Sequence, residues 1–364
     1  MRPEARPPGR RELTVLQVLD PPDGTTKFVD QVVSELPDWV RVDYFTWRRA
    51  FTTRYDVLHV HWPERLMRDS TALRTLGKQV ACTLLLLLLR ARRVALVRTE
   101  HNLSPHEPGG VVEGWLMRWV RAWTTLVIRL NEATPIDSRH PQVTIPHGDY
   151  RAVFGRHPQA TTVLGRLLYF GIIREYKGVE RLLEVFRALP DPDLTLRLVG
   201  KPSTPAWRKV VEDGCHADPR VSAILAFVDD DVLVHEVGEA ELVVLPYSEM
   251  HNSGVVFVAL SLDRPVLAPR SAVNTELAAE VGPGWLFQYD GELTPDLLKD
   301  TLEQVRRGGR TASPALTGRD WAAVGRRHAE AYRQAVSRCR RTGGVAGERR
   351  PGPETPPVAP NPSV

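Results

Sequence analysis

Apolar residues along the chain fall into short runs separated by longer stretches of helical period. In the first half the runs are LTVLQVL (13–19), VRVDYF (40–45), DVLHVHW (56–62), VALVRTE (94–100) and TLVIRL (125–130). Their length and β-branched content are those of buried strands. Helical patterns lie between them at Lys27–Leu36, Leu66–Arg90 and Val111–Ala122. The alternation restarts with RLLYFG (166–171), LTLRLVG (194–200), VSAILAF (221–227), AELVVLP (240–246) and RPVLAP (264–269). Helical stretches there are Val179–Leu189, Trp207–Cys215, Val232–Gly238 and Val255–Leu262, and a last amphipathic helix runs over about Asp320–Arg338. Strands alternating with helices predict parallel sheets covered on both faces. The expected architecture is therefore α/β, with two Rossmann-like, doubly wound domains facing across a cleft.

The first domain is expected over residues 13–155 and the second over 163–310, with a linker at about 150–163. A C-terminal helix is expected over 318–340. The Pro- and Arg-rich start (1–12) and the Pro- and Gly-rich end (341–364) read as disordered. Ligands belong in the cleft at the carboxyl ends of the strands.

Composition narrows the class. With 364 residues, 42% hydrophobic and 25% charged, the chain has material for two cores and the balance of a soluble protein. A net charge of +4 is mild at this length and is concentrated in arginine clusters at both ends, so nucleic acid is not an expected partner. Cys82, Cys215 and Cys339 are far apart and in no ligand spacing, which fits a reducing, cytoplasmic compartment. No signal-peptide core follows the first cations. The longest uncharged apolar stretch, Val80 to Leu89, is about half of what spans a bilayer and reads as a buried or interfacial helix.

Chemistry concentrates at strand ends. FGIIREYKG (170–178) places Arg174 and Lys177 at one strand–helix corner, and LPYSEMHNSGVV (245–256) places Asn252, Ser253 and Gly254 at the start of a helix. A helix N-terminus offers unpaired N–H groups and a partial positive charge, so the two corners together would cradle a diphosphate. Taken singly, each reads as well as a surface charge pair or an ordinary N-cap. The order FG-x-IR-x-YKG, LRLVG, LPY, NSG and PVLAP resembles the nucleotide-sugar-binding domain of bacterial GT-B glycosyltransferases, most closely the large retaining family of polysaccharide-assembly mannosyl- and glucosyltransferases. The resemblance covers about residues 13–305 and is specific in the second half. It implies that Arg174 and Lys177 bind the donor diphosphate. It also implies that Gly200 and Lys201, with Phe227 and Val228, hold the nucleotide base.

One feature departs from that family. Its two glutamates, eight residues apart around the phosphate-binding helix, would fall at Met250 (with Glu249 one residue off) and Val258, which leaves the ribose contact and the anomeric outcome open.

In the first half, DPPDGTTKF (20–28) carries Gly24, Thr25 and Thr26 at a strand-to-helix turn. It resembles the glycine-rich first loop of the fold, though with one glycine a helix cap reads equally well. RTEHNLSPHE (98–107) resembles the HN-x-x-PHE loop of exopolysaccharide glycosyltransferases. His61, Glu64, His101, Asn102, His106 and Glu107 gather at strand ends, whereas His59 reads as an internally satisfied imidazole. A sugar acceptor needs hydroxyl partners and one proton acceptor, and this set supplies both. His101 is the first candidate, with His61 and Glu107 behind it; Glu64, Asn102 and His106, with Gly24 and Thr25, would line the acceptor side.

Asp229–Asp231 reads as a helix start rather than a metal site, and His59 with His61 lacks further ligands, so no metal and no cofactor is expected. The sequence thus reads as a hexosyltransferase using a GDP- or UDP-sugar donor and a glycan or lipid-linked sugar acceptor. A non-catalytic sugar-nucleotide-binding relative is the alternative. LLLLLLRARR (84–93) and GWLMRWVRAW (114–123) mix Trp, Leu and Arg as interfacial segments do, which adds an anionic membrane surface on the cytoplasmic side as an expected partner.

Overall fold

The computed structural model describes residues 12–22, 27–101, 110–135, 140–248 and 250–342. The first sheet holds β1 (Leu13–Gln17), β2 (Val40–Tyr44), β3 (Val57–Val60), β4 (Ala95–Glu100), β5 (Leu126–Arg129) and β6 (Gln142–Thr144), in the order β2-β1-β3-β4-β5-β6. The second holds β7 (Arg166–Phe170), β8 (Thr195–Val199), β9 (Val221–Ile224), β10 (Leu242–Val244), β11 (Val266–Pro269) and β12 (Leu286–Tyr289), in the order β12-β11-β10-β7-β8-β9. Every neighbouring pair is parallel.

Parallel neighbours need crossovers, and helices supply them. Around the first sheet these are α1 (Lys27–Ser34), α2 (Trp47–Thr52), α3 (Ala72–Arg92) and α4 (Val111–Trp123). The short α5 (Arg151–Phe154) leads to the second sheet, which is wrapped by α6 (Val179–Arg187), α7 (Pro205–Ala217), α8 (Asp230–Glu239), α9 (Gly254–Ser261), α10 (Ala272–Val281) and α11 (Pro295–Arg307). This is the doubly wound α/β architecture that the alternation implies. The strand order reverses between β1 and β3 in one sheet and between β7 and β10 in the other. Such switch points open a crevice at the carboxyl ends of their strands.

Three details differ from the sequence reading. The edge strands β6 and β12 went unforeseen: β6 has three residues and none is buried, so it shows no apolar run. α3 begins at Ala72, not near Leu66, because Pro63–Leu66 forms a 3-10 turn and the Thr71 hydroxyl caps the Arg74 N–H. The last helix, α12 (Trp321–Thr342), extends through Arg341 and Thr342, which were assigned to a disordered tail; the half-buried Cys339 still packs on the core there.

α12 matters for the site because it follows the second sheet yet packs on the first, against α1 and β4. Gly325 permits the approach: a Cβ there would lie 2.0 Å from the Glu35 carbonyl oxygen. The helix thereby inserts His328 and Tyr332, both fully buried, behind β3.

Candidate active site

The second sheet presents a pinched corner. A Cβ on Gly200, after β8, would sit 1.8 Å from the Gly171 carbonyl oxygen, so the ends of β7 and β8 can meet only as backbone. Beyond Gly171 the 3-10 turn Glu175–Lys177 carries Lys177 inward, where it is 8% exposed. Its Nζ lies 5.0 Å from the Tyr247 ring centroid, and among the described residues no carboxylate forms an ion pair with it. Burial, and then the neighbouring Arg174 charge, push the Lys177 pKa down to about 8.

α9 starts at the same place. A Cβ on Gly171 would touch both Val255 in the first turn of α9, at 3.4 Å, and Lys177 Nζ, at 3.5 Å. Ser253 holds the cap position with no side-chain bond to the helix N–H groups, and its hydroxyl lies beside the Tyr247 phenol. The corner therefore joins a buried ammonium, the exposed Arg174 guanidinium and the amide end of a buried helix around one space. That arrangement suits a diphosphate. Lys201 is exposed and accepts the Ile173 N–H through its carbonyl at 3.0 Å. Phe227 stands 61% exposed beside the half-buried Val228, just ahead of α8, and Asp229 occupies the N-cap of that helix as expected.

Across the cleft the imidazoles form a connected set. His59 and His61 leave β3 on one face, their ring centroids 4.2 Å apart. His59 is satisfied internally, by Tyr332 Oη at 2.9 Å on Nδ1 and Thr99 Oγ1 at 2.8 Å on Nε2. His61 meets Gln17 Oε1 at 3.3 Å through Nε2 and His101 Nε2 at 2.9 Å through Nδ1. The Trp62 indole stacks on His101 with centroids 4.7 Å apart. Glu64 is half-buried on the 3-10 turn that follows.

Burial keeps these rings neutral. His59 and His61 lie well below the ordinary histidine range because of desolvation first and neighbouring imidazoles second. The same cause pulls His101 down to about 3, and His147 and His328 each to about 4. His328 donates Nδ1–H to the Val324 carbonyl at 2.9 Å, and its buried Nε2 has no hydrogen-bond partner among the described residues. His147 stacks flat on Phe257, centroids 4.8 Å apart, and its Nε2 lies 3.5 Å from where a Cβ on Gly254 would be.

Asn252 ties the two halves together. Its amide donates to the His101 carbonyl at 2.8 Å and accepts from Asn131 Nδ2 at 2.8 Å, so this side chain turns toward the first sheet rather than toward Lys177. Thr134 Oγ1 adds a contact to His251 Nε2 at 2.9 Å. A cavity of about 310 Å³ opens beside this bridge, lined among others by His147, His251, Ser253, Glu276 and Arg319.

The structure thus brings Arg174, Lys177 and Ser253–Gly254 to one corner, and His61 and His101 to the facing edge. Gly24, Thr25, Asn102, His106 and Glu107 lie outside the described residues, as does Glu249. Val258 is buried in α9, so it offers a ribose nothing polar. Sequence reasoning missed Gln17, Trp62, His147, His328 and Tyr332, which sit inside strands, turns or a distant helix with no motif to mark them. Among the described residues no group of three or more His, Cys, Asp or Glu side chains converges as a metal-ligand set.

Comparison with known proteins agrees with this geometry. Residues 165–304 match the family model described as glycosyl transferases group 1. Two proteins of Xanthomonas campestris pv. campestris, each named GDP-mannose:glycolipid 4-beta-D-mannosyltransferase, are 48% and 47% identical over 338 residues, 92% of this chain and 96% of each relative. The chain belongs to the group 1 glycosyltransferases. Among solved structures, Anabaena Alr3699/HepE in complex with UDP-glucose aligns with a TM-score of 0.59 at 14% identity, covering 92% of this chain and 99% of that one. AviGT4, a glycosyltransferase involved in avilamycin A biosynthesis, aligns with a TM-score of 0.54 at 15% identity, covering 89% and 98%. These two carry the fold, which is GT-B. The chain is accordingly a hexosyltransferase that takes its sugar from a nucleoside diphosphate.

Two outcomes follow for this glycosyltransferase. Arg174→Ala and Lys177→Ala should each lower kcat roughly 10²–10³-fold at saturating donor, with the melting temperature little changed. With Lys177 titrating at about 8 in the free enzyme, donor KM should rise above that pH as the ammonium deprotonates, and Lys177→Arg should flatten the rise. Steady-state kinetics between neutral and mildly alkaline pH check both.

The second concerns stability. Unfolded, the buried imidazoles regain the ordinary value of 6.5, while folded His101, His147 and His328 resist protonation down to about 3–4. Below pH 6.5 the unfolded chain therefore binds more protons, and stability falls as pH drops from there toward those folded values. Melting temperatures should hold above neutrality and decline steadily below it, and a melt series across that range would show no trend if the cluster were solvated.

Proposed function

We propose that this glycosyltransferase moves mannose from GDP-mannose to a sugar hydroxyl of a glycolipid at a membrane surface. The observation that carries the proposal is 48% identity, sustained over 92% of the chain, to relatives named for that reaction. In this reading Arg174, Lys177 and the Ser253–Gly254 amides take up the charge that grows on the leaving diphosphate. Gly200, Lys201, Phe227 and Val228 hold the base. His101 receives the acceptor proton, with His61 and Glu107 behind it, while Glu64, Asn102, His106, Gly24 and Thr25 meet acceptor hydroxyls. Cations and a helix dipole neutralise the diphosphate without a metal in this scheme.

The relatives' name specifies a β linkage. Mannose is α-linked in GDP-mannose, so forming a β bond inverts the anomeric carbon. The acceptor oxygen attacks C1 as its proton passes to an imidazole on the first-sheet side, and the C1–O bond to the diphosphate breaks on the second-sheet side. Val258 and Met250, standing where the retaining pattern has glutamates, support this route over a retaining one. A thermal-shift comparison of GDP, UDP, ADP and dTDP should give the largest rise with GDP, and the product's anomeric proton should report a β-mannoside. A larger shift with UDP, or binding with no transfer to any lipid extract, would point to another donor or to a non-catalytic relative.

The membrane part rests on two neighbouring helices. Leu73, Leu76, Val80, Leu84 and Leu87 form an exposed stripe along α3, whose other side packs on the core through Cys82, Leu85, Leu86 and Leu89. By length and composition α3 could cross a bilayer, but one face is already committed to the protein. On α4 Val111, Val112, Trp115 and Trp119 are exposed, with the Arg118 guanidinium 3.9 Å from the Trp115 ring centroid. An apolar stripe with Trp and Arg at its margin suits headgroup-level docking on the cytoplasmic face. Flotation with anionic vesicles should be reversible and weaken with salt, since each nearby cation contributes about 1 kcal/mol within a Debye length. Trp115→Ala with Leu76→Gln should abolish it while leaving transfer to a soluble acceptor analogue intact; flotation that survives this pair would remove the docking face.

A further inference from the structure

The hydrogen bonds behind the candidate base form one chain whose protons can be assigned in sequence. The Gln17 amide nitrogen donates to Tyr332 Oη at 2.9 Å. The Tyr332 hydroxyl also pairs with His59 Nδ1, 2.9 Å away, and in this arrangement its proton goes to that nitrogen. Neutral His59 then carries its own proton on Nε2, where Thr99 Oγ1 accepts at 2.8 Å. With its nitrogen turned to Tyr332, the Gln17 amide presents Oε1 to His61 Nε2 at 3.3 Å. An oxygen acceptor there places the His61 proton on Nε2 and leaves Nδ1 bare. His101 Nε2, 2.9 Å from that Nδ1, must therefore be the donor. A neutral His101 protonated on Nε2 has Nδ1 as its basic nitrogen.

We propose that Tyr332 and Gln17 are positioning residues that set the tautomer of His101, so that the C-terminal helix decides which imidazole nitrogen can take the acceptor proton. The proposal rests on reading His101 as the base. Neither residue touches the cleft; both act through His61. The reach is long in sequence, 315 residues between Gln17 and Tyr332, and it explains why a helix that follows the second sheet buries a tyrosine behind the first. Among the described residues the Tyr332 hydroxyl is the acceptor for the Gln17 amide N–H, and losing it frees the amide to rotate. Rotated, it would offer N–H to His61 Nε2, move the His61 proton to Nδ1, and turn His101 Nε2 into the acceptor. His101 would then carry its proton on Nδ1 and could accept none there.

Tyr332→Phe keeps the ring and removes only the hydroxyl; Gln17→Met keeps the length and removes the amide. Long-range proton–nitrogen spectra of the nitrogen-15-histidine-labelled full chain, with the His101 signal assigned by its loss in His101→Gln, read the tautomer directly. The expected result is an Nε2–H His101 in the parent and a shift toward Nδ1–H in both variants. With it kcat should fall roughly 10²–10⁴-fold while donor KM and melting temperature stay close to the parent. An Nδ1–H His101 in the parent, or an unchanged tautomer in both variants, overturns the proposal. A shifted tautomer with undiminished kcat upholds the relay and instead dismisses His101 as the base. Should Tyr332→Phe fold poorly, Gln17→Met alone decides.

Discussion

Lys177 is buried where an ammonium is costly to hold, with an aromatic face beside it and, among the described residues, no carboxylate paired to it. Taking a charge out of water costs several kcal/mol unless something of opposite sign compensates it. The neighbourhood makes matters worse for a cation, because Arg174 and the amide end of α9 are positive as well. Two well-packed strands and a largely apolar helix hold such a corner in place. Val256 to Ser261 are all buried, so α9 cannot turn its first amides elsewhere. In the proposed role, the compensating negative charge comes from the nucleoside diphosphate, and it grows as the sugar leaves.

The facing edge solves the opposite problem. Negative charge there would attract the cationic corner and close the cleft on itself, while positive charge would add to the repulsion. Imidazoles held neutral by burial do neither, and they still offer a lone pair. Holding four of them buried and His101 half-buried demands partners for their nitrogens, and the fold supplies a carbonyl on each of His147 and His328 and side chains on His59, His61 and His101. Asn252 then joins the two edges through neutral hydrogen bonds. The bridge between the walls is thus neutral, while Glu276 and the Glu280–Arg319 pair line the cavity beside it.

How much of this was legible follows from where the signals live. Strands β1 to β5 and β7 to β11 are apolar runs, and local periodicity found them; the edge strands are less buried, β6 with no buried residue and β12 with two of four. Arg174, Lys177 and Gly254 were legible because a strand–turn–helix corner compresses its chemistry into a few adjacent residues. His61 and His101 were picked out by the same logic, and the structure places their rings in contact at 2.9 Å. Tyr332 and Gln17 were not, since their bond joins opposite ends of the chain and each alone looks like a core or strand residue. Asn252 was read as a phosphate contact from its neighbours; its amide partners are Asn131, just after β5, and the His101 backbone, which only tertiary structure brings together.

The same topology relates the cleft to the proposed docking face. In a parallel sheet each helix begins near the carboxyl edge of the strand before it. α3 follows β3 through the turn that carries Glu64, and α4 follows β4 and His101. An ion pair of Arg68 with Glu113 at 2.7 Å pins the starts of both helices together. The exposed Leu73 and Leu76 on one and Val111, Val112 and Trp115 on the other therefore lie at the cleft end of the molecule. In the proposed reading a sugar on a lipid, reaching only a short way from the headgroup plane, would enter the site from that side. A soluble acceptor would need no such alignment between the apolar helix ends and the imidazole edge.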